Sequence, residues 1–217
     1  MTDPRERILS RLKSAPRRPL PDLPDWSPPA YGDQAMARFR AMLEAAHADV
    51  HEVSDAEWPE RLRAILAGKG VRVVLFAPAT AAGRRLARDW AGGEGPSLVA
   101  YDRPVEEMKP VLVHEAQAAV TEARGGIAQT GSLVLWPGAD EPRLMSLLPP
   151  IHVAVVARSR IRDSLAETMA AEGWAGTMPT NAVLVSGPSK TADIEQTLAY
   201  GVHGPKELIV LVIGDAR

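Results

Sequence analysis

The sequence predicts an α/β protein built on a mainly parallel sheet with helices on both faces. Three observations carry that prediction. Strand-like and helix-like segments alternate through most of the chain, as in repeated βα units. Val71 to Ala77 is almost wholly apolar and rich in β-branched residues, the pattern of a strand buried on both faces. The joints between segments are rich in Gly, Pro, Ser and Thr, where α/β proteins keep their binding loops.

Asp3 followed by Pro4 is an N-cap with proline at the first helical position, so a short helix is predicted to about Lys13, with Ile8, Leu9 and Leu12 along one side. Pro16, Pro19, Pro21, Pro24, Pro28 and Pro29 then exclude a helix or a central strand. Residues 1–30 thus read as a helical and proline-rich N-terminal arm, and residues 31–217 as one α/β domain. Leu20, Leu23 and Trp26 would be costly to leave in water, so the arm is expected to lie along the body or a neighbouring subunit.

In the domain, Met36, Phe39, Met42, Leu43 and Ala46 give helical spacing over 33–48. A strand at 50–53 follows, then a helix over 55–66 ended by Gly68 and Gly70. The strand at 71–77 leads to a helix over 81–90. Strands are predicted at 97–101, 118–122, 132–136, 151–157, 182–186 and 208–213, and helices at 105–113, 142–148, 160–171 and 192–198. No G-x-G-x-x-G follows Ala77 and no P-loop occurs.

An apolar fraction of 46% is ordinary for a globular chain that buries one sizeable core. A net charge of -2 and pI near 6.2 offer no general attraction to nucleic acid or an anionic membrane. Without cysteine, the chain supplies no disulfide, no thiol nucleophile and no thiolate for an iron–sulfur cluster. The N-terminus is charged and no apolar run reaches membrane-spanning length, so a cytoplasmic protein is expected.

Within the run Gly125 to Trp136, Gly131 stands between the hydroxyls of Thr130 and Ser132 just before a strand. Such a turn suits an anion, and suits equally a tight turn whose hydroxyls satisfy local backbone. Three companions follow: Leu147 to His152 (LLPPIH), Ser186 to Glu195 (SGPSKTADIE) and Gly201 to Pro205 (GVHGP). In Ser186 to Glu195 a predicted strand ends in Ser186-Gly187-Pro188-Ser189, followed by Lys190 and a predicted helix start near Thr191. Free N–H groups, hydroxyls and an ammonium there would seat a carboxylate or phosphate. On spacing alone, a plain helix cap is the commoner arrangement.

In this order the four segments resemble the LUD domain of the lactate-utilisation protein C family, whose usual patterns are close to G-I-A-(E/D)-T-G-(T/S), S-L-L-P-P-I-H, S-G-P-S-(R/K)-T-A-D-I-E and G-V-H-G-P. The match spans about two-fifths of the chain and departs at Gln129, where an acidic residue is usual. The resemblance implies a fold like that of ribose-phosphate isomerase and the coenzyme A transferases. It also implies a part in oxidising L-lactate to pyruvate beside iron–sulfur partner proteins. With no cysteine in this chain, the clusters are expected in those partners alone, and no cofactor is expected in this chain.

The resemblance tips the loop readings towards binding: Thr130, Gly131, Ser132, Ser186, Gly187, Ser189, Lys190 and Thr191 are the candidate anion-binding residues. His203, in a loop between glycines, is a candidate catalytic base for a hydroxyl proton, with Lys190 on the carboxylate. Glu122, at a strand end, is a second candidate, as base or nucleophile, or else a solvated charge. His152, among Ile151, Val153, Val155 and Val156, reads as a core histidine. The five histidines show no metal-ligand spacing, and His47 and His51, four apart, read as solvated. Two other readings stay open: a non-catalytic scaffold or regulatory subunit that binds an anion, and an acyl- or phosphosugar-converting enzyme. A homo-oligomer is also compatible with the sequence.

Overall fold

The computed structural model of the protein describes residues 3–16, 26–192 and 198–214. Helix α1 (Pro4–Ser14) starts as predicted, with the Asp3 carboxylate accepting the Arg5 N–H at 3.1 Å. None of its residues is buried. Leu20 and Leu23 lie outside the described residues, and Trp26 is 66% exposed.

After a 3-10 turn at Gly32–Gln34, α2 (Ala35–Ala45) leads to β1 (Asp49–Ser54), α3 (Trp58–Gly68), β2 (Val73–Phe76), α4 (Ala81–Asp89), β3 (Ser97–Ala100) and α5 (Val105–Pro110). The second half runs β4 (Ala118–Glu122), β5 (Gly125–Ile127), β6 (Ser132–Leu135), β7 (Ile151–Ala157), β8 (Ile161–Arg162), α6 (Leu165–Ala171) and α7 (Trp174–Thr177). It ends with β9 (Val183–Val185), β10 (Lys190–Ala192), β11 (Leu198–Tyr200) and β12 (Glu207–Gly214).

Six strands form one wholly parallel sheet in the order β1-β12-β7-β4-β2-β3. On one face Val74, Val120, Val153 and Leu211 pack against Leu62 and Leu66 of α3 and Leu86 of α4. On the other, Val156, Val210 and Val212 meet Phe39 and Leu43 of α2, while Leu75 and Ala119 meet Met108 of α5. Burying each such Leu or Phe contributes roughly 1.5–3 kcal/mol. That outweighs the few tenths of a kcal/mol by which helix propensities differ, so the sheet holds the helices in place. Gly83 of α4 lies against the Ala77 carbonyl, and the missing Cβ lets the helix start this close to the end of β2.

Four corrections to the sequence reading bear on function. A second sheet, β8-β5-β6-β9, stands beside the first, and β5 with β6 makes an antiparallel hairpin. Gly125–Ile127 is therefore a strand, and Thr130-Gly131 is the turn of that hairpin. The helix expected over 160–171 begins only at Leu165: Ser164 caps it, accepting the Glu167 N–H, while Ile161–Arg162 pairs with β5. Pro110 ends the regular part of the helix expected over 105–113, and Val111–Glu115 continues as a wider π-type turn.

The fourth concerns the helix expected over 192–198. Lys190–Ala192 is a strand, antiparallel to Leu198–Tyr200, and residues 193–197 lie outside the described residues. The reason is tertiary. Ser189 donates its N–H to the Pro205 carbonyl at 2.8 Å and accepts the Gly201 N–H at 2.9 Å, which draws the segment alongside 200–205. Thr191 is thus no helix cap, and no helix N-terminus stands at Ser189 to seat an anion.

Candidate functional site

Three segments distant in sequence meet beside the starts of β7 and β12, one of them Ser146-Leu147 ahead of β7. Ser186, Gly187 and Ser189 from the segment after β9, and His203 with Gly204 from the segment before β12, line a cavity of about 220 Å³. His152, near the start of β7, forms part of its wall. Gly187 passes so close to α2 that a Cβ would come within 2.8 Å of the Ala46 carbonyl oxygen. That approach fixes where the serine loop turns.

A file of hydroxyls joins the β5–β6 hairpin to this cavity. Thr130 Oγ1 lies 2.7 Å from Ser132 Oγ, which lies 2.7 Å from Ser186 Oγ. Ser132 is buried, so its hydroxyl is held between two partners, while Thr130 and Ser186 reach the surface. Six of the eight expected anion-binding residues are therefore brought together, Gly131 as the turn that places its neighbours. Lys190 and Thr191 are not: both stand on β10, neither lines the cavity, and Lys190 is exposed.

His152 is buried as expected, with Nε2 2.8 Å from Thr121 Oγ1. Burial pushes its imidazole down to about 4, so the ring is neutral near pH 7. A neutral ring beside an anion adds no charge attraction and acts through hydrogen bonding and shape. His203 is exposed at the cavity mouth, free to meet a ligand from solvent.

Glu122 stands elsewhere. It closes β4 and lines a cleft of about 970 Å³ at the carboxyl edge of the parallel sheet, together with Thr80, Val155, Ala157 and Ile213. On β7 alone, His152 and Ala157 are separated by roughly 16 Å of extended chain. The two proposed acid–base residues, His203 and Glu122, therefore belong to different cavities. Glu122 Oε2 accepts the N–H groups of Ala81 and Ala82 at 3.0 and 3.3 Å, so its charge is held at the start of α4 rather than solvated.

Sequence reasoning missed Glu141. Its Oε1 accepts the Glu122 N–H at 2.9 Å. Burial pushes the Glu141 carboxyl up to about 7, against the lowering effect of that N–H and with added repulsion from the Glu122 charge. The two glutamates are nineteen positions apart with the β5–β6 hairpin between them, and no local pattern marks the pairing. Among the described residues no three His, Asp or Glu side chains converge as a metal site.

The LUD domain family model matches residues 36–213, which includes every residue of both cavities. An uncharacterised protein of Neisseria meningitidis is 33% identical over 96% of this chain and 93% of its own length. Two proteins called lactate utilization protein C are also similar. That of Bacillus subtilis is 31% identical over 60% of this chain and 55% of the relative, and that of an Exiguobacterium strain 27% over 84% and 79%. The crystal structure of a DUF162 family protein from Deinococcus radiodurans superposes with a TM-score of 0.61 at 25% identity, covering 86% of this chain and all of that one.

Proposed function

The chain belongs to the LUD domain family, and on that premise we propose that it serves in lactate utilisation in the cytoplasm. In this reading it acts in the oxidation of L-lactate to pyruvate and binds the small carboxylate in the serine–histidine cavity. The names of two of its relatives supply the substrate. The observation that carries the site is the convergence of Ser186, Ser189 and His203 on a cavity of about 220 Å³. That is below the roughly 300–1,000 Å³ of pockets for drug-sized ligands, and suits a three-carbon acid.

The hydroxyls of Ser186 and Ser189 donate to the carboxylate, and His203 accepts the proton of the substrate hydroxyl as the carbonyl forms. Ser132, bonded to Ser186, fixes the orientation of that hydroxyl. Lys190, on β10, is left outside the cavity and is assigned no contact with substrate. Oxidation of lactate releases two electrons, and a chain without cysteine holds no iron–sulfur cluster on its own thiolates. In this reading the C2–H bond breaks as the carbonyl forms, its hydrogen leaving with the electron pair as hydride to a hydride-accepting redox partner, which passes the two electrons on to iron–sulfur partner proteins.

Calorimetric titration of the isolated protein with L-lactate and with pyruvate tests the site. Replacing His203 or Ser189 by Ala is expected to weaken binding about tenfold, the value of one or two lost hydrogen bonds to a charged group. Lys190→Ala is expected to change it less than about threefold, as for an exposed charge. Absence of binding by either acid at millimolar concentration rejects the site. Binding with no partner-dependent lactate oxidation would leave an anion-binding subunit without catalysis.

A further inference from the structure

The cleft around Glu122 takes no part in the reading above, yet it is the more built of the two cavities. It lies where β2, β4, β7 and β12 end, the edge at which open α/β sheets carry ligands. Its volume of about 970 Å³ is that of a site for a whole small molecule. Five guanidiniums line it, those of Arg84, Arg85, Arg88, Arg124 and Arg160.

Their partners are shared. Asp89 accepts from both Arg85 and Arg88, Asp55 also accepts from Arg85, and Glu172 pairs with both Arg124 and Arg160. Three carboxylates thus serve four guanidiniums. Arg84 bonds the Ala79 carbonyl and has no carboxylate among the described ion pairs. Two anions remain on the lining: Asp140, exposed at the rim, and Glu122, committed to the first N–H groups of α4. Counted together with Asp89 and Glu172, which pair with its arginines from outside the lining, the cleft is therefore close to neutral in sum. What it offers is a set of directed donors: Arg84, the exposed Arg88 and Arg160, and the Glu141 carboxyl when protonated. The Arg124 guanidinium lies over the Trp136 ring at 4.3 Å, giving the same cleft a flat wall.

We propose that this cleft is a second ligand site, which takes a phosphate-bearing small molecule, its phosphate oxygens accepting from Arg84, Arg88, Arg160 and the Glu141 carboxyl. Three donors on guanidiniums match the several acceptor oxygens of a phosphate better than the two of a lone carboxylate. The remaining volume, bounded by the Arg124–Trp136 stack, accommodates the organic part of the ligand. A small carboxylate at the serine–histidine cavity and a phosphate compound here would bind independently, at opposite edges of the sheet.

Pyrophosphate and ADP, titrated calorimetrically into the full chain at low salt, are the probes. The expected result is saturable binding, with ADP tighter than pyrophosphate by the contacts of its nucleoside. Arg84→Ala and Arg160→Ala are each expected to weaken it at least fivefold, while Glu141→Gln, which keeps a donor, stays within about threefold of wild type. His203→Ala is expected to leave it unchanged, so this proposal and the lactate site fail separately. Both arginines are exposed, and Arg84→Gln with Arg160→Gln replace any alanine variant whose melting temperature falls. No binding of either probe at 5 mM (about the weakest affinity worth calling a site), affinity unchanged in the double arginine variant, or loss on His203→Ala overturns the proposal.

Discussion

Gly131→Ala is expected to lower stability by about 2–4 kcal/mol, summing overpacking and left-handed strain, and to disconnect the hydroxyls that end at the serine–histidine cavity. Two independent costs meet at this residue. Its φ of +61 is a conformation that a Cβ disfavours. A Cβ built there would also stand 2.5 Å from Met42 Cβ and 2.8 Å from the Leu43 backbone nitrogen, in the last turn of α2. A helix backbone held by buried Phe39 and Leu43 has little room to yield, so the hairpin turn must move instead. That shift separates Ser132 Oγ from Ser186 Oγ, now 2.7 Å apart. Urea denaturation measures the first effect. Gly131→Asn separates the causes, since Asn tolerates positive φ but brings the same Cβ. Near-equal losses for Ala and Asn show that contact with α2 dominates, and a loss below about 1 kcal/mol for Ala would contradict this packing.

Stability should respond to acid through two groups of opposite sign, the half-buried Glu141 and the buried His152. Glu141 has a folded value of about 7 against an ordinary 4.5. Its folded value is the higher one, so its contribution is full below pH 4.5 and is lost as pH rises through 7. His152 has a folded value of about 4 against an ordinary 6.5. Its folded value is the lower one, so its contribution is full above pH 6.5 and is lost as pH falls through 4. Each shift corresponds to about 3 kcal/mol, reduced to about 2 for the partly exposed Glu141. In the wild type the two changes largely offset between pH 6.5 and 4.5. Removing one uncovers the other. Relative to wild type, Glu141→Gln is expected to lose about 2 kcal/mol more between pH 7 and 4.5, and His152→Gln about 3 kcal/mol less between pH 6.5 and 4. Urea unfolding at steps across this range measures both differences. Identical pH slopes for Glu141→Gln and wild type would mean that Glu141 is ionised in the folded protein at neutral pH.

The strands of the parallel sheet were legible because their signal is local. Ala118–Glu122 and Ile151–Ala157 keep their expected bounds, since a strand buried on both faces is apolar at most positions, and the buried polar residues of these two, Thr121 and His152, bond each other. Helix starts were legible where a cap stands in the sequence: Asp3 before Pro4, and Thr80, whose hydroxyl accepts the Gly83 N–H at 3.0 Å. The cap rule misled at Thr191. There the backbone partners of the neighbouring Ser189 lie at Gly201 and Pro205, and residues flanking a cap signal do not report what waits ten or more positions away.

The candidate site divides along the same line. Ser186, Ser189 and His203 were recognisable as loop residues with useful chemistry, and the alternation of the strands placed them at the ends of elements. Their meeting in one cavity, the exclusion of Lys190 from it, and the removal of Glu122 to the opposite edge of the sheet depended on strand order. By itself the sequence determined the α/β class, the strands of the buried sheet and the residue types available for chemistry, because those follow from hydrophobic periodicity and local capping. Only the tertiary structure decided the second sheet, the β10–β11 pairing and the contact of Glu141 with Glu122. Those rest on hydrogen bonds and burial between residues far apart in the chain, whose partners no local pattern specifies.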